Sequence, residues 1–368
     1  MASLARVLGA KSAVVKSAVV VWLAALVGVA PAWALTASEI ADYRGPDREQ
    51  KLIEGASREG QVVLYSAMIV NQMLRPLTAA FTKKYPSVKM TYWRADSEEL
   101  LPRLSAEARA GSMVADLFEG SGGGEVAVAA GLTQPFYSPV LADFPQAYRD
   151  PTGNLAPTRL SYFGIAYNTK QVPGDKVPKT YQDLLDPQWK GRMAWPYATT
   201  GRYLFLISLR LAWGEEKAMA YFKRLAEQKI INFASGSART LVDRVIAGEY
   251  PIAINIYAHH PLISAAKGAP VNTRLMDPVP SAAGTISLIK NAPHPNAAML
   301  LMDFILSREG QKILADAEYF PANPEVPPLP QLAGIVPKTA GFIESYVAPQ
   351  TLSEYIDSTD QILQSLFR

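Results

Sequence analysis

Cysteine is absent from the 368 residues. That excludes disulfides, thiolate nucleophiles, cysteine-ligated zinc, iron–sulfur clusters and a lipid-carrying N-terminal cysteine. Histidine is scarce, with only His259, His260 and His294 present and no H-E-x-x-H spacing. On an extended segment, the neighbours His259 and His260 would point opposite ways, so at most one would face a shared ligand. Neither a G-x-S-x-G nucleophile elbow nor a G-x-x-x-x-G-K-[ST] phosphate loop occurs. An enzyme and a cofactor are therefore not expected. A secreted hydrolase or transferase is the competing class, and it lacks an identifiable nucleophile and base.

Charge excess is also lacking once its location is read. The 36 basic and 33 acidic residues give +3, and residues 1–34 hold Arg6, Lys11 and Lys16 with no acid. Without them the chain is neutral. A neutral chain has no footprint for nucleic acid, whose binding rests on neutralised phosphates. Long apolar runs are missing too: the longest, Ala18 to Ala30, is about 13 residues against the roughly 20 that span a bilayer. It follows the basic stretch and precedes Ala32-Trp33-Ala34, an A-x-A pattern, so a secretory signal peptide cut after Ala34 is expected.

What is there alternates. Gln61 to Ser66 reads as a strand after a helix closed by Gly60, Met68 to Lys84 as a helix, Val88 to Tyr92 as a strand, and Ser97 to Ala110 as a helix capped by Ser97. A short strand, Val114 to Phe118, leads to a helix from Glu125. Further on, Tyr162 to Tyr167, the segment ending at Trp195, Ile252 to Tyr257 and Thr285 to Lys290 read as strands between helices. Such alternation predicts βαβ units and parallel sheet. From Ser353 the tail reads as an amphipathic helix.

Three strand-to-helix turns carry ligand chemistry. Ser121 and Gly122 open the Gly122-Gly123-Gly124-Glu125-Val126-Ala127 stretch, which fits G-x-G-x-x-A. It follows the third strand rather than the first, so a general polar-ligand device at a helix N-terminus is the better reading than a dinucleotide site. Thr199, Thr200, Gly201 and Arg202 combine hydroxyls, a glycine and a guanidinium suited to carboxylate or phosphate. Ser235-Gly236-Ser237 is the third. Polar turns spread over two lobes suit a cleft at the carboxyl ends of parallel strands.

The order of segments resembles the ferric-iron-binding type of family 1 extracellular solute-binding proteins, the periplasmic receptors of ABC importers. The stretches that carry this include Glu59-Gly60-Gln61-Val62-Val63-Leu64-Tyr65-Ser66, Asp186-Pro187-Gln188-Trp189-Lys190-Gly191, Asn291-Ala292-Pro293-His294-Pro295-Asn296-Ala297-Ala298, Ser307-Arg308-Glu309-Gly310-Gln311 and Tyr319-Phe320-Pro321-Ala322-Asn323-Pro324. The resemblance implies an α/β, periplasmic-binding-protein-like type II fold, two α/β lobes joined by a hinge with a cleft between them. Residues 1–34 would be the signal, 35–160 and 285–330 lobe 1, 161–284 lobe 2, and 331–368 a C-terminal helical segment. Hinge crossings are expected near Leu160 to Tyr167 and Asp277 to Ser287.

The implied activity is capture, in the periplasm, of a small polar solute, expected to be anionic, by a monomer that delivers it to an inner-membrane ABC permease. Tyr65, Ser66, Ser121, Gly122, Thr199, Thr200, Gly201, Arg202, Ser237 and Tyr257 would line the cleft, with Tyr65 or Tyr257 covering the ligand and Arg202 pairing with its charge. Iron binders of this family use an adjacent tyrosine pair, where an ungapped register here puts Ala258 and His259 and a one-residue shift puts Tyr257. A ferric site would have to use Tyr257, His259 and Glu119. That ligand count is poor for a hard cation.

Overall fold

The computed structural model describes residues 36–197, 201–234 and 237–368. The expected signal segment lies outside them, as do Thr199 and Thr200. Among the described residues no helix is long and apolar enough to cross a membrane.

Among the described residues twelve strands form one continuous sheet: β1 (Gln61–Ser66), β2 (Lys89–Arg94), β3 (Leu117–Ser121), β4 (Thr133–Gln134), β5 (Ala156–Asn168), β6 (Met193–Pro196), β7 (Ile231–Phe233), β8 (Ile252–Tyr257), β9 (Val271–Arg274), β10 (Val279–Ile289), β11 (Phe320–Pro321) and β12 (Glu344–Tyr346). The main order is β2-β1-β3-β10-β5-β8-β6-β7. At one end β1 runs parallel to both β2 and β3, and at the other β6 runs parallel to β7 and β8. Parallel pairing at both ends follows from helical crossovers, which place consecutive strands side by side in the same direction.

Between the two ends lie the long strands. β5 pairs antiparallel with β10 through Ala156 to Tyr162, then with β8 and β9 through Phe163 to Asn168. Its register shifts beside Gly284 on β10 and again beside Gly164. Bulges of this kind bend a strand and change its direction, so one strand serves two differently oriented halves. Every residue of β10 is buried, and so is all of β5 except half-buried Gly164.

Each half has its own apolar core. The first holds Leu64, Phe81, Leu117, Ile286 and Phe304, with the Phe81 and Phe304 rings 5.6 Å apart, edge to face. The Pro295–Leu306 helix runs through it with nine buried residues, apolar on nearly every side as a buried helix must be. Its N-terminus is capped from outside: Glu59 accepts hydrogen bonds from the Asn296 and Ala297 amides at 3.1 and 2.8 Å. The second core gathers Trp195, Phe205, Tyr221 and Phe222. The C-terminal helix Pro349–Leu366 is bound to this half, Arg210 donating to Thr359 at 2.9 Å and Phe367 lying 4.8 Å from Trp195.

Two local expectations need correction. Ser97 is the first helical residue and Asp96 occupies the cap position, so Ser97 does not cap the helix. His259 and His260 begin a helix, His259–Ala265, directly after β8. Helical geometry replaces strand alternation there, and the two rings stand side by side with centroids 4.5 Å apart.

Candidate ligand-binding cleft

The turns that leave the carboxyl ends of the parallel strands converge on a cavity of about 370 Å³. Ala67 and Ile69 come after β1, Arg94, Asp96, Ser97 and Glu99 at and after the end of β2, and Ser121 at the end of β3. From the other half come Ala234, Ser237, Ala238 and Arg239 after β7, with Tyr257, His259 and His260 at and beyond the end of β8. Arg159 and Ser161 of β5 form its back wall, and Tyr319 closes one side. The location is where open α/β sheets bind ligands.

The back wall is built on a buried ion pair. Arg159 and Glu119 are 6% and 0% exposed, and Arg159 Nη1 donates to Glu119 Oε1. The other carboxylate oxygen accepts from Ser66 Oγ at 2.6 Å, and that hydroxyl accepts from the Met68 amide at 3.0 Å. Arg159 Nη2 reaches Ser121 Oγ at 3.4 Å, and the guanidinium carbon lies 5.2 Å from the Tyr319 ring centre. Gly284 makes room for this side chain: a Cβ there would stand 2.8 Å from Arg159 Cζ and Nη1.

The opposite wall carries Arg239, which donates to the His260 carbonyl at 3.0 Å and to Asp243 at 3.0 Å. Its side chain is 39% exposed. Burial, with Arg159 and Arg239 nearby, lowers His259 to about 3, and burial also pulls His260 down. Both imidazoles are neutral at physiological pH, and the Nδ1 atoms of both are buried without a hydrogen-bond partner among the described residues. The wall therefore offers neutral imidazoles, serine hydroxyls and guanidinium N–H groups to a polar guest.

Residues 112–334 match the model of the bacterial extracellular solute-binding proteins. The chain belongs to that family. As a solute-binding protein it is a member of a family of binders rather than of catalysts. Iron uptake protein A1 of Synechocystis sp. is 26% identical over 309 residues, 79% of this chain and 83% of its own. The Fe(3+)-binding periplasmic protein of Serratia marcescens is 24% identical over 296 residues, 76% of this chain and 86% of its own. Among solved structures, the periplasmic binding protein AfuA of Actinobacillus pleuropneumoniae, with fructose-6-phosphate bound, superposes with a TM-score of 0.70 at 23% identity, covering 83% of this chain and 98% of that one. The solute-binding protein thus has the two-lobed, type II periplasmic-binding-protein fold expected of it, with β5 pairing into both halves of the sheet.

The candidate residues of this solute-binding protein are distributed unevenly. Ser121, Ser237 and Tyr257 line the cleft. Ser66 lies one layer below, bonded to Glu119. Tyr65 points to the other face of β1, its hydroxyl donating to Glu107 at 2.6 Å and accepting from Arg103 at 2.7 Å, so it does not cover a ligand in the cleft. Burial, then the Glu107 contact, pushes its phenol up to about 12. Gly122 borders a separate small cavity with Glu125 and Leu352. The neighbouring Gly124 serves packing: a Cβ would stand 2.4 Å from Thr285 Oγ1, so the helix lies directly against β10.

Arg202 and Gly201 are buried in the first turn of the Gly201–Trp213 helix, away from the cleft lining. The Arg202 guanidinium stacks over Tyr197 at 4.1 Å. For the ferric alternative, Tyr257 and His259 both face the cleft with ring centroids 6.0 Å apart, whereas both Glu119 oxygens are engaged below Arg159. Among the described residues no group of three or more acidic or histidine side chains is placed to hold a metal.

Arg159, Arg239, Ser161 and Tyr319 were not picked out by sequence reasoning. One signal was available for Arg159: a lone charge in the apolar run Leu160 to Tyr167 and its flank implies burial, and buried charge requires a partner.

Proposed function

We propose that this protein is a periplasmic receptor that captures a small anion-bearing solute between its lobes and delivers it to an inner-membrane ABC permease. The supporting observation is the convergence of Arg94, Arg159 and Arg239 from both lobes with Ser121, Ser161 and Ser237 on one cavity. Guanidiniums at such a site take carboxylate, sulfonate or phosphate oxygens through directed N–H bonds. Charge pairing thereby moves from Arg202 to Arg159 and Arg239. A ligand touching both lobes favours the closed arrangement by the difference in its contacts with the closed and open forms. Export through a cleaved N-terminal signal fits this role, and a monomer suffices for it.

Ferric iron is the second reading. Tyr257 and His259 favour it, as do the iron-related names of two relatives. Phenolate and imidazole are two ligands for a hard cation that prefers oxygen, and the facing guanidiniums oppose a cation.

Native mass spectrometry of protein taken from its own periplasm, followed by a thermal-shift screen of organic anions, phosphate esters and ferric complexes, separates the two. An anion at a hundredfold excess over its Kd should stabilise the fold by about 2.7 kcal/mol. A red-brown protein with a phenolate-to-iron absorption band, and no response to any anion, would overturn the reading.

A further inference from the structure

Three guanidiniums on one cavity suggest a guest of high negative charge. The pairing of those guanidiniums points the other way. Arg94 is held by Asp96 at 2.9 Å, Arg239 by Asp243 at 3.0 Å and Arg159 by Glu119. Each cation therefore arrives with a carboxylate of its own.

The three pairs differ in what an incoming anion can do to them. In the first two, both partners are between 39% and 57% exposed. Water screens those carboxylates and their side chains can turn away as a ligand takes their place. Glu119 has no such freedom. It is fully buried, with one oxygen on Arg159 and the other on Ser66, and the Arg159 side chain rests against Gly284 on its far side. Neither member of this pair can withdraw without leaving an uncompensated buried charge.

A ligand at the back wall thus meets an Arg159 whose charge is permanently offset from beneath, with N–H donors still available but little net attraction for a second negative charge. We propose that Glu119 sets the charge the cleft accepts, so that the seat at Arg159 selects singly charged anionic heads (a sulfonate, a carboxylate or a monoprotonated phosphonate) over doubly charged ones. This rests on the anion-binding reading above and deepens it. A second ligand charge would lose its hydration on entering while the offset pair returns little net attraction, an effect on the order of tenfold in affinity or more.

The matched probes are methanesulfonate and methylphosphonate, of nearly the same size and shape, titrated calorimetrically at an alkaline pH where the phosphonate carries two charges and the sulfonate one. Wild type should bind methanesulfonate on the order of tenfold more tightly. Glu119→Gln should reverse the order, and Glu119→Asp, which keeps the charge, should retain it. Equal ratios in wild type and Glu119→Gln would overturn the proposal. So would a wild-type preference for the doubly charged probe, a result that does not depend on the variants folding. If neither probe binds wild type while ferric iron does, the anion-binding reading itself fails and this proposal with it, an outcome distinct from anion binding without charge selection.

Discussion

The two walls of the cleft hold the same pair of chemical groups in opposite circumstances. On the back wall Arg159 and Glu119 are sealed in, with Ser66, Ser121 and Gly284 fixing their positions. Across the cavity Arg239 and Asp243 stand one helical turn apart on the surface of the Ala238–Ile246 helix, both more than a third exposed. A sealed pair is rigid and costly to break, whereas an exposed one contributes little to stability and can be rearranged by a ligand. One wall is thereby preorganised and the other adaptable.

The largest effect should come from splitting the sealed pair. Arg159→Ala leaves Glu119 buried without its cation, and urea denaturation should show a loss of about 3–5 kcal/mol. A loss below 1 kcal/mol would mean that water reaches the pair and that the contrast between the walls is false.

Glu125 extends the same contrast to a buried acid with no ion-pair partner among the described residues. Burial raises its carboxyl to about 7 from the ordinary 4.5. The folded state then holds its proton more tightly than the unfolded chain, so the stability this residue permits is full below about pH 4.5. It declines as pH rises through the folded value near 7, by about 3 kcal/mol over that span. Subtracting the pH–stability curve of Glu125→Gln from that of wild type should isolate this slope. Parallel curves would show that the carboxylate is hydrated.

Arg239→Ala should sharpen the comparison from the exposed side. Stability is expected to change by less than about 1 kcal/mol, while affinity for the solute falls by tenfold or more. A large stability loss with intact affinity would reverse the roles of the walls. The smallest effect is expected from Arg202→Ala, which should leave affinity within about twofold, since its guanidinium stacks on Tyr197 rather than lining the cavity. Strong loss of binding would return the charge contact to that helix.

Much of the fold was legible because its signals are local. Gly60 ends its helix with φ of +73°, and strand β1 occupies the expected Gln61 to Ser66. The segments near Leu160 to Tyr167 and Asp277 to Ser287 lie largely in β5 and β10, whose apolar runs mark buried strands. The His259-His260 pair was misjudged because no glycine or proline separates β8 from the following helix. In the site, hydroxyls at strand ends were readable at Ser121 and Ser237, where a turn exposes whatever follows a strand. Arg159 was not, because its meaning depends on Glu119, 40 residues away in sequence, and no local periodicity encodes that contact. Tyr65 was misread because its residue type suited a ligand while strand alternation sent it to the other face.

Under the proposed capture between lobes, β5, which pairs into both halves of the sheet, would fix how the cleft closes. Points on a pivot do not travel when the doors swing: Arg159 and Ser161 sit on β5, which would be that pivot, whereas Arg239 lies on a helix of the far half. A solute that lands first on the β5 residues would then not need to move again; the remaining contacts would be brought to it by rotation.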